Sequence, residues 1–434
     1  MKHNVRSVAL EILDEVLTEG AYSNLLINEA IKKGYVEPVD RALLTELVYG
    51  TLQRKLTLEF YAAPYIKTNI KGWMRRLILM SIYQSVYLDK VPDHAIINEA
   101  VEITKRRGSV GGANTVNAIL RNFQRNPLRD LNEIKDDLKR LSVATSTPLW
   151  LIKHWNTHFG FDTTREMAEE FLNYPDTTVR VNTTKITPED AIKRLTEAGY
   201  TVKQSEILPE CLTIDGPPIV QHELFKHGFL SVQDASSMLV ANVLDPQPDE
   251  TILDACSAPG GKACHIAEKM NRTGHIDSHD VHPHKIDLIQ YNITRLSLRN
   301  IHPSVHDATV PFDKQYDRVL VDAPCSGFGV MKRKPEIKYE KTQKDIDTLW
   351  PLQLEILKNA ANAVKPGGVL VYSTCTIEQM ENENVVYSFI KQNEDFEIEA
   401  IELPVIGKRK LLQVLPQDFN SDGFFIAKLR RKCK

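Results

Sequence analysis

The sequence predicts a multidomain α and α/β chain: an all-helical first third, a small α/β unit, and a doubly wound α/β domain with a mostly parallel sheet. Three observations predict it. Apolar residues recur at helical spacing to about residue 140, strand and helix patterns alternate from about 231 onward, and the stretch between has its own strand and helix signals. At 434 residues the chain is long enough to bury two or three separate cores.

In the first region Ala9, Ile12, Leu13, Val16 and Leu17 sit on one helical face, and Leu43, Leu44, Leu47, Val48 and Leu52 repeat the pattern. Met74 to Leu88 is apolar nearly all round, which suits a central bundle helix. Pro92-Asp93 opens a helix through Ile96, Ala100, Val101 and Ile103, which stops at the basic run before Gly108. Val116, Ile119, Leu120 and Phe123 form one more. A charged, irregular stretch after Pro127 reads as a linker, so the expected domains are 1–140, 141–230 and 231–434. In the middle one, Val179 to Thr183 is a strand, 188–199 a helix with proline first and glycine last, and further strands lie near Val202 and over Leu212–Ile214. The last domain opens with a helix over 231–244. Its strands are expected at 251–256, 274–280, up to Asp307, 318–322 and 369–373.

Composition sets limits on function. The hydrophobic fraction is 42% and the charged fraction 26%, ordinary for a soluble protein, and the net charge of −3 leaves any nucleic-acid surface to local basic patches. The first residues lack a signal-peptide core and no window approaches a membrane span of ~20 apolar residues, so a cytoplasmic location without membrane contact is expected. Six cysteines without a CxxC pair argue for reduced thiols and against a disulfide framework or a metal site.

The chemistry concentrates at strand ends. Arg318-Val-Leu-Val-Asp322 stops at Pro324 and delivers Cys325 into a glycine-containing loop, and Val369 to Ser373 ends two residues before Cys375. Open α/β sheets bind ligands beyond the carboxyl ends of their strands, which places Asp322, Cys325 and Cys375 where a reaction would occur. After the first strand comes Cys256-Ser257-Ala258-Pro259-Gly260-Gly261-Lys262, whose paired glycines allow a ligand close to the backbone at a helix start. It is not a P-loop, because Cys256 and Ala263 stand where that motif needs glycine and a hydroxyl. Asp280, ending the second strand, is placed to take ribose hydroxyls. A ribose carboxylate, no phosphate signature and two facing thiols together suit S-adenosyl-L-methionine.

Two sets of motifs carry a resemblance to known families. Arg6-x-x-Ala9, Asp40-Arg41-Ala42, Tyr49-Gly50-Thr51 and Val116 to Arg121 resemble the NusB-type RNA-binding bundle. Asp254 to Lys262, Asp322-Ala-Pro-Cys325-Ser-Gly and Ser373-Thr-Cys375-Thr resemble RNA cytosine-5 methyltransferases with a Rossmann-like domain. Together they resemble the RsmB, Fmu or Sun family, which methylates small-subunit (16S) ribosomal RNA. Ser257, Ala263 and His282 depart from its usual residues.

The resemblance implies that Cys375 adds to C6 of cytosine and that Cys325 assists release. Residue chemistry alone leaves the two roles open. It implies cofactor contacts from 256–262, Asp280, Asp307 (adenine amino group) and Asp322, with Asp322 also able to hydrogen-bond the cytosine edge. RNA contacts are expected from Arg180 and Asn182 on an RRM-like small sheet, from Lys332, Arg333 and Lys334 after the Cys325 loop, and from Arg41, Arg106 and Arg121 at helix ends. For the residues at helix ends and after the Cys325 loop a solvated surface is the competing reading, and for Arg180 and Asn182 it is an ordinary helix-on-sheet core. A monomer is expected, with ribosomal RNA as partner. A transfer-RNA enzyme, a DNA cytosine-5 methyltransferase and a non-catalytic RNA scaffold are the alternatives. The DNA enzyme would use the Pro-Cys thiol and has no need of Cys375, and a scaffold would be expected to have lost a thiol, the glycine pair or Asp322.

Overall fold

A computed structural model describes residues 4–433. The chain divides into two compact units: Met1–Tyr174 with Met331–Lys341, and Pro175–Val330 with Thr342–Lys434. No helix among the described residues is long and apolar enough to cross a membrane.

The first unit is helical. Asn4 caps its opening helix, Val5–Glu19, by accepting from the amides of Arg6 and Ser7, and Gly20 ends it in the left-handed region at φ 70°. The helix Gly72–Tyr87 is the centre of the bundle: Leu77 to Gln84 are buried without a break, as the all-round apolar sequence requires. Helix Arg41–Gln53 crosses it closely at Gly50, where a Cβ would lie 1.9 Å from the Tyr83 ring. The helices Asp137–Ala144, Leu149–Phe159 and Phe161–Glu170 also lie in this unit, beyond the boundary expected at 140. Trp155 lies 5.8 Å from Phe171 with the rings tilted by 35°, and Thr57 donates to the Val143 carbonyl at 2.6 Å.

Met331–Lys341 belongs to this unit, and the burial of Lys332 there corrects the expectation of an RNA-facing basic edge at that residue. That lysine is 5% exposed and paired with Glu170. Glu336 accepts from the Ser23 amide (3.1 Å) and hydroxyl (2.9 Å), and Lys338, fully buried, donates to the Gln53 carbonyl at 3.1 Å. Burial pulls the Lys338 ammonium down from 10.5 to about 7, with Arg54 adding repulsion. Arg333 and Lys334 keep intermediate exposure.

The second unit begins with strands β1 (Thr177–Val181), β2 (Thr201–Gln204), β3 (Cys211–Asp215) and β4 (Leu230–Val232), in an antiparallel sheet ordered β2-β3-β1-β4. Residues 230–232 thus pair with β1, and the helix expected from 231 starts only at Ala235, capped by Asp234. The larger sheet holds β5 (Thr251–Asp254), β6 (His275–Asp280), β7 (Ile301–Val305), β8 (Tyr316–Asp322) and β9 (Val364–Thr374) in parallel. β10 (Phe396–Glu399), β13 (Leu412–Val414) and β14 (Phe424–Arg431) extend it antiparallel, while β11 (Ile401–Leu403) and β12 (Gly407–Arg409) pair separately. The order is β10-β14-β9-β8-β5-β6-β7. The chain runs outward from β5 to β7, then returns to β8 on the other side of β5, so the topological switch lies between β5 and β8.

Candidate active site

Register places the site residues. β8 and β9 are parallel neighbours with Asp322 beside Ser373, so both loops that follow leave the sheet at one level. Cys325 comes three residues past that level and Cys375 two, and their sulfurs lie 3.4 Å apart. Further bonds lace the loops together. Ser326 and Thr376 share a hydroxyl contact at 2.9 Å, the Gly329 amide donates to the Cys375 carbonyl at 3.0 Å, and Gly423 donates to Gly329 at 2.9 Å. A Cβ on Gly329 would meet the Gly423 carbonyl oxygen at 1.8 Å, so this crossing demands glycine.

Both Asp322 oxygens are engaged: Oδ1 accepts from the Ser373 hydroxyl and Oδ2 from the Lys262 ammonium, each at 2.8 Å. Burial works against the Lys262 ammonium, yet the Asp322 carboxylate more than offsets it and the pKa rises. The Cys325 thiol is pushed well up, first by its hydrogen bond to Cys375 and then by burial. Cys375 also interacts with the Lys262 charge. Two sulfurs in contact beside a cation place a candidate nucleophile next to a positive charge, which favours a thiolate.

Sequence reasoning missed the support beneath the loops. Glu381, fully buried, accepts from the Ser326 amide and from Gln353 at 2.8 Å each, and Gln353 also donates to the Pro324 carbonyl at 2.8 Å. Asn382 accepts from Thr374 at 2.5 Å and donates to the Thr376 carbonyl at 3.0 Å. A buried acid followed by an amide, a few residues after Cys375, was the available signal.

The loop 256–262 leaves β5 at the switch point. The Ser257 amide donates to the His279 carbonyl at 2.7 Å, Ser278 donates to the Ser257 hydroxyl at 2.6 Å, and Asn292 holds the Pro259 carbonyl at 3.0 Å. Gly260 has φ 94°, with space for a Cβ closed by Ile289 at 3.1 Å. At the end of β5, Asp254 is fully buried; neither carboxylate oxygen has a partner at full hydrogen-bond geometry, while the Ser257 side chain and the Cys256 amide favour its charge from close by. Burial, with the Asp322 charge adding, raises its pKa to about 7. Asp280 is 7% exposed, with Oδ1 accepting from the His282 amide at 3.0 Å and Lys285 3.6 Å away. Asp307 is exposed and turns Oδ1 back onto Thr309.

Arg180 and Asn182 are each 1% exposed, which corrects their reading as RNA contacts. The Arg180 guanidinium is bound bidentately by Glu268, and Asn182 donates to the Gly228 carbonyl at 3.3 Å. Arg41, Arg106 and Arg121 are exposed on the first unit.

Residues 241–430 match the family model described as 16S rRNA methyltransferase RsmB/F, residues 3–125 that of the NusB family, and 147–221 an RsmF/B-like ferredoxin-like domain. The probable ribosomal RNA small subunit methyltransferase B of Bacillus subtilis (strain 168) is 43% identical over 444 residues, covering 99% of each chain. The crystal structure of PH0851 superposes with a TM-score of 0.84 at 26% identity, over 99% of this chain and 100% of that one. NSun6 from Pyrococcus horikoshii, solved with SFG, gives 0.60 at 25% identity over 65% and 97%. On these matches, made along its whole length, the chain belongs to the RsmB/F family of S-adenosylmethionine-dependent ribosomal RNA small subunit methyltransferases.

Proposed function

We propose that the protein methylates C5 of a cytosine in small-subunit ribosomal RNA through a covalent adduct on Cys375. The observation that carries this reading is the pair of sulfurs 3.4 Å apart beside the Lys262–Asp322 ion pair. C5 of cytosine is a poor nucleophile, and a thiolate adding at C6 makes it enamine-like. The electron pair of the C5–C6 double bond then resides on C5, and the ring needs a proton or hydrogen bond at N3. Asp322 accepts from the exocyclic amino group, and the Lys262 ammonium, kept charged beside it, hydrogen-bonds N3. After methylation the C5 proton passes to water, its bonding pair re-forms the C5–C6 double bond as Cys375 leaves as a thiolate, and Cys325 assists that release.

The residues present fit S-adenosyl-L-methionine, which when bound supplies an electrophilic methyl group. The buried Asp254 carboxylate, which among the described residues has no charged partner of its own beyond nearby Lys262, offers an anionic partner for the methionine ammonium, the 256–262 loop a backbone cradle, Asp280 a ribose acceptor and Asp307 an adenine acceptor. The SFG held by the Pyrococcus relative is an analogue of this cofactor, which supports the assignment. Arg41, Arg106, Arg121, Arg333 and Lys334 are the RNA phosphate contacts in this reading.

Bisulfite sequencing of ribosomal and transfer RNA from cells with and without the gene tests the proposal. One 16S cytosine should be resistant only when the protein is present. A resistant position lost from transfer RNA alone, or no change in any RNA, sinks it.

A further inference from the structure

β1 alternates between two faces, because successive side chains of a strand point opposite ways. Val179 and Val181 pack with Ala191 and Leu195 in the core of the small sheet. Thr178, Arg180 and Asn182 occupy the other face, where Thr178 donates to the Gln233 carbonyl at 2.7 Å. Arg180 is the centre of that layer. Nε donates to Glu268 Oε2 at 2.9 Å, Nη2 to Oε1 at 3.0 Å, and Nη1 both to the Gln233 side chain and to the Gly261 carbonyl at 3.1 Å. Gly261 and Glu268 are the first and the last-but-one residues of the helix Gly261–Lys269. One guanidinium therefore grips that helix near both ends, and its first residue is also part of the 256–262 loop.

A fully buried arginine and carboxylate are costly to desolvate, and a fork with two parallel bonds fixes direction as well as distance. Around the pair, Glu210 lies 3.5 Å from His265 of the same helix and accepts from Asn242 at 2.9 Å, which completes a polar layer along it. We propose that Arg180 is a positioning residue for the cofactor. By holding Gly261 and Glu268 it sets the helix whose first amides close the 256–262 loop, so the small sheet governs affinity for S-adenosylmethionine. The inference rests on reading 256–262 as the cofactor loop and is independent of which base or atom is methylated.

The test uses the full-length protein, with S-adenosylmethionine titrated calorimetrically and KM measured separately for cofactor and RNA. Two variants serve. Arg180→Lys keeps the charge but loses the fork, and Arg180→Met with Glu268→Met removes the pair without leaving a lone buried charge. Each should raise Kd and KM for S-adenosylmethionine by roughly 10-fold to 100-fold, the cost of a displacement on the order of 1 Å at a binding site. KM for RNA should stay within about 2-fold, since RT ln 2 is small against any lost contact. A residue that only holds the core would lower the melting temperature and leave KM for the cofactor unchanged. Wild-type cofactor affinity in either folded variant overturns the proposal. So does a loss confined to RNA affinity, which would return Arg180 to RNA binding. A wild-type protein that bound no S-adenosylmethionine would remove the reading of the loop itself.

Discussion

Asp254→Asn should stabilise the cofactor-free protein at pH 8 while weakening its grip on S-adenosylmethionine. Asp254 is fully buried, and that burial outweighs the Ser257 side chain and the Cys256 amide beside it and raises the pKa from 3.8 to about 7. Its folded pKa lies above its unfolded one, so the folded state holds the extra proton between about pH 4 and pH 7. The carboxyl's contribution is complete below about pH 4 and is lost as pH rises through 7. At about 1.36 kcal/mol per pKa unit the loss is on the order of 4 kcal/mol, and asparagine does not suffer it. Guanidinium unfolding of both proteins at pH 5, 6, 7 and 8 checks this. The variant's advantage should grow across that range and level off above pH 7, and titratable groups common to both proteins cancel in the difference. Added S-adenosylmethionine should narrow the gap at pH 8, because its ammonium compensates the charge in the natural protein alone. A stability difference that stays flat from pH 5 to pH 8 would refute the reasoning, as would full cofactor affinity in the variant.

Two further outcomes test the catalytic pair and the helical unit. Cys375→Ala should lower methyl transfer by more than ~10³-fold and yield no adduct, whereas Cys325→Ala should accumulate a protein–RNA adduct visible on a denaturing gel. If the Cys375 variant stayed active and the Cys325 variant was dead without an adduct, the two roles would be exchanged. Lys338→Met should stabilise the protein at neutral pH, because folding forces a lysine of pKa about 7 to be buried where its ordinary value is 10.5. The folded pKa is the lower one, so the penalty is full below pH 7 and fades toward pH 10.5. Denaturation midpoints of the two proteins should converge over that interval, and an advantage independent of pH would assign the effect to packing alone.

The parallel sheet and its strand ends were legible because the rule that reads them is local. An apolar β-branched run cut off by Pro324, and another ending at Thr374-Cys375, mark where a buried strand emerges whatever surrounds it. The strands after residue 395 were not anticipated. Most are short; Gly407–Arg409 is charged and pairs only with β11, while β10 and β13 form on β14, which adds to β9 in a pairing that bridges more than fifty residues of sequence. The start of the helix after β4 was misplaced for a related reason: residues 230–232 are claimed by β1 from across the small sheet, and only Asp234 as a cap marks the change.

The basic residues failed differently. A sequence displays the charge of Arg180 or Lys332 but not its partner, and the carboxylates that bind them come from Glu268 and Glu170, 88 and 162 positions away. An RNA phosphate and a distant glutamate make the same demand on an arginine fork, so composition could not separate them. Burial separates them: β1 runs exposed at Thr177 and then buried through Val181. A strand buried at consecutive positions is covered on both faces and has neither free to lay against RNA. The resemblance pointed to the 256–262 loop and the thiols, while the place of the small sheet needed the packing, and that packing turns Arg180 toward the helix Gly261–Lys269.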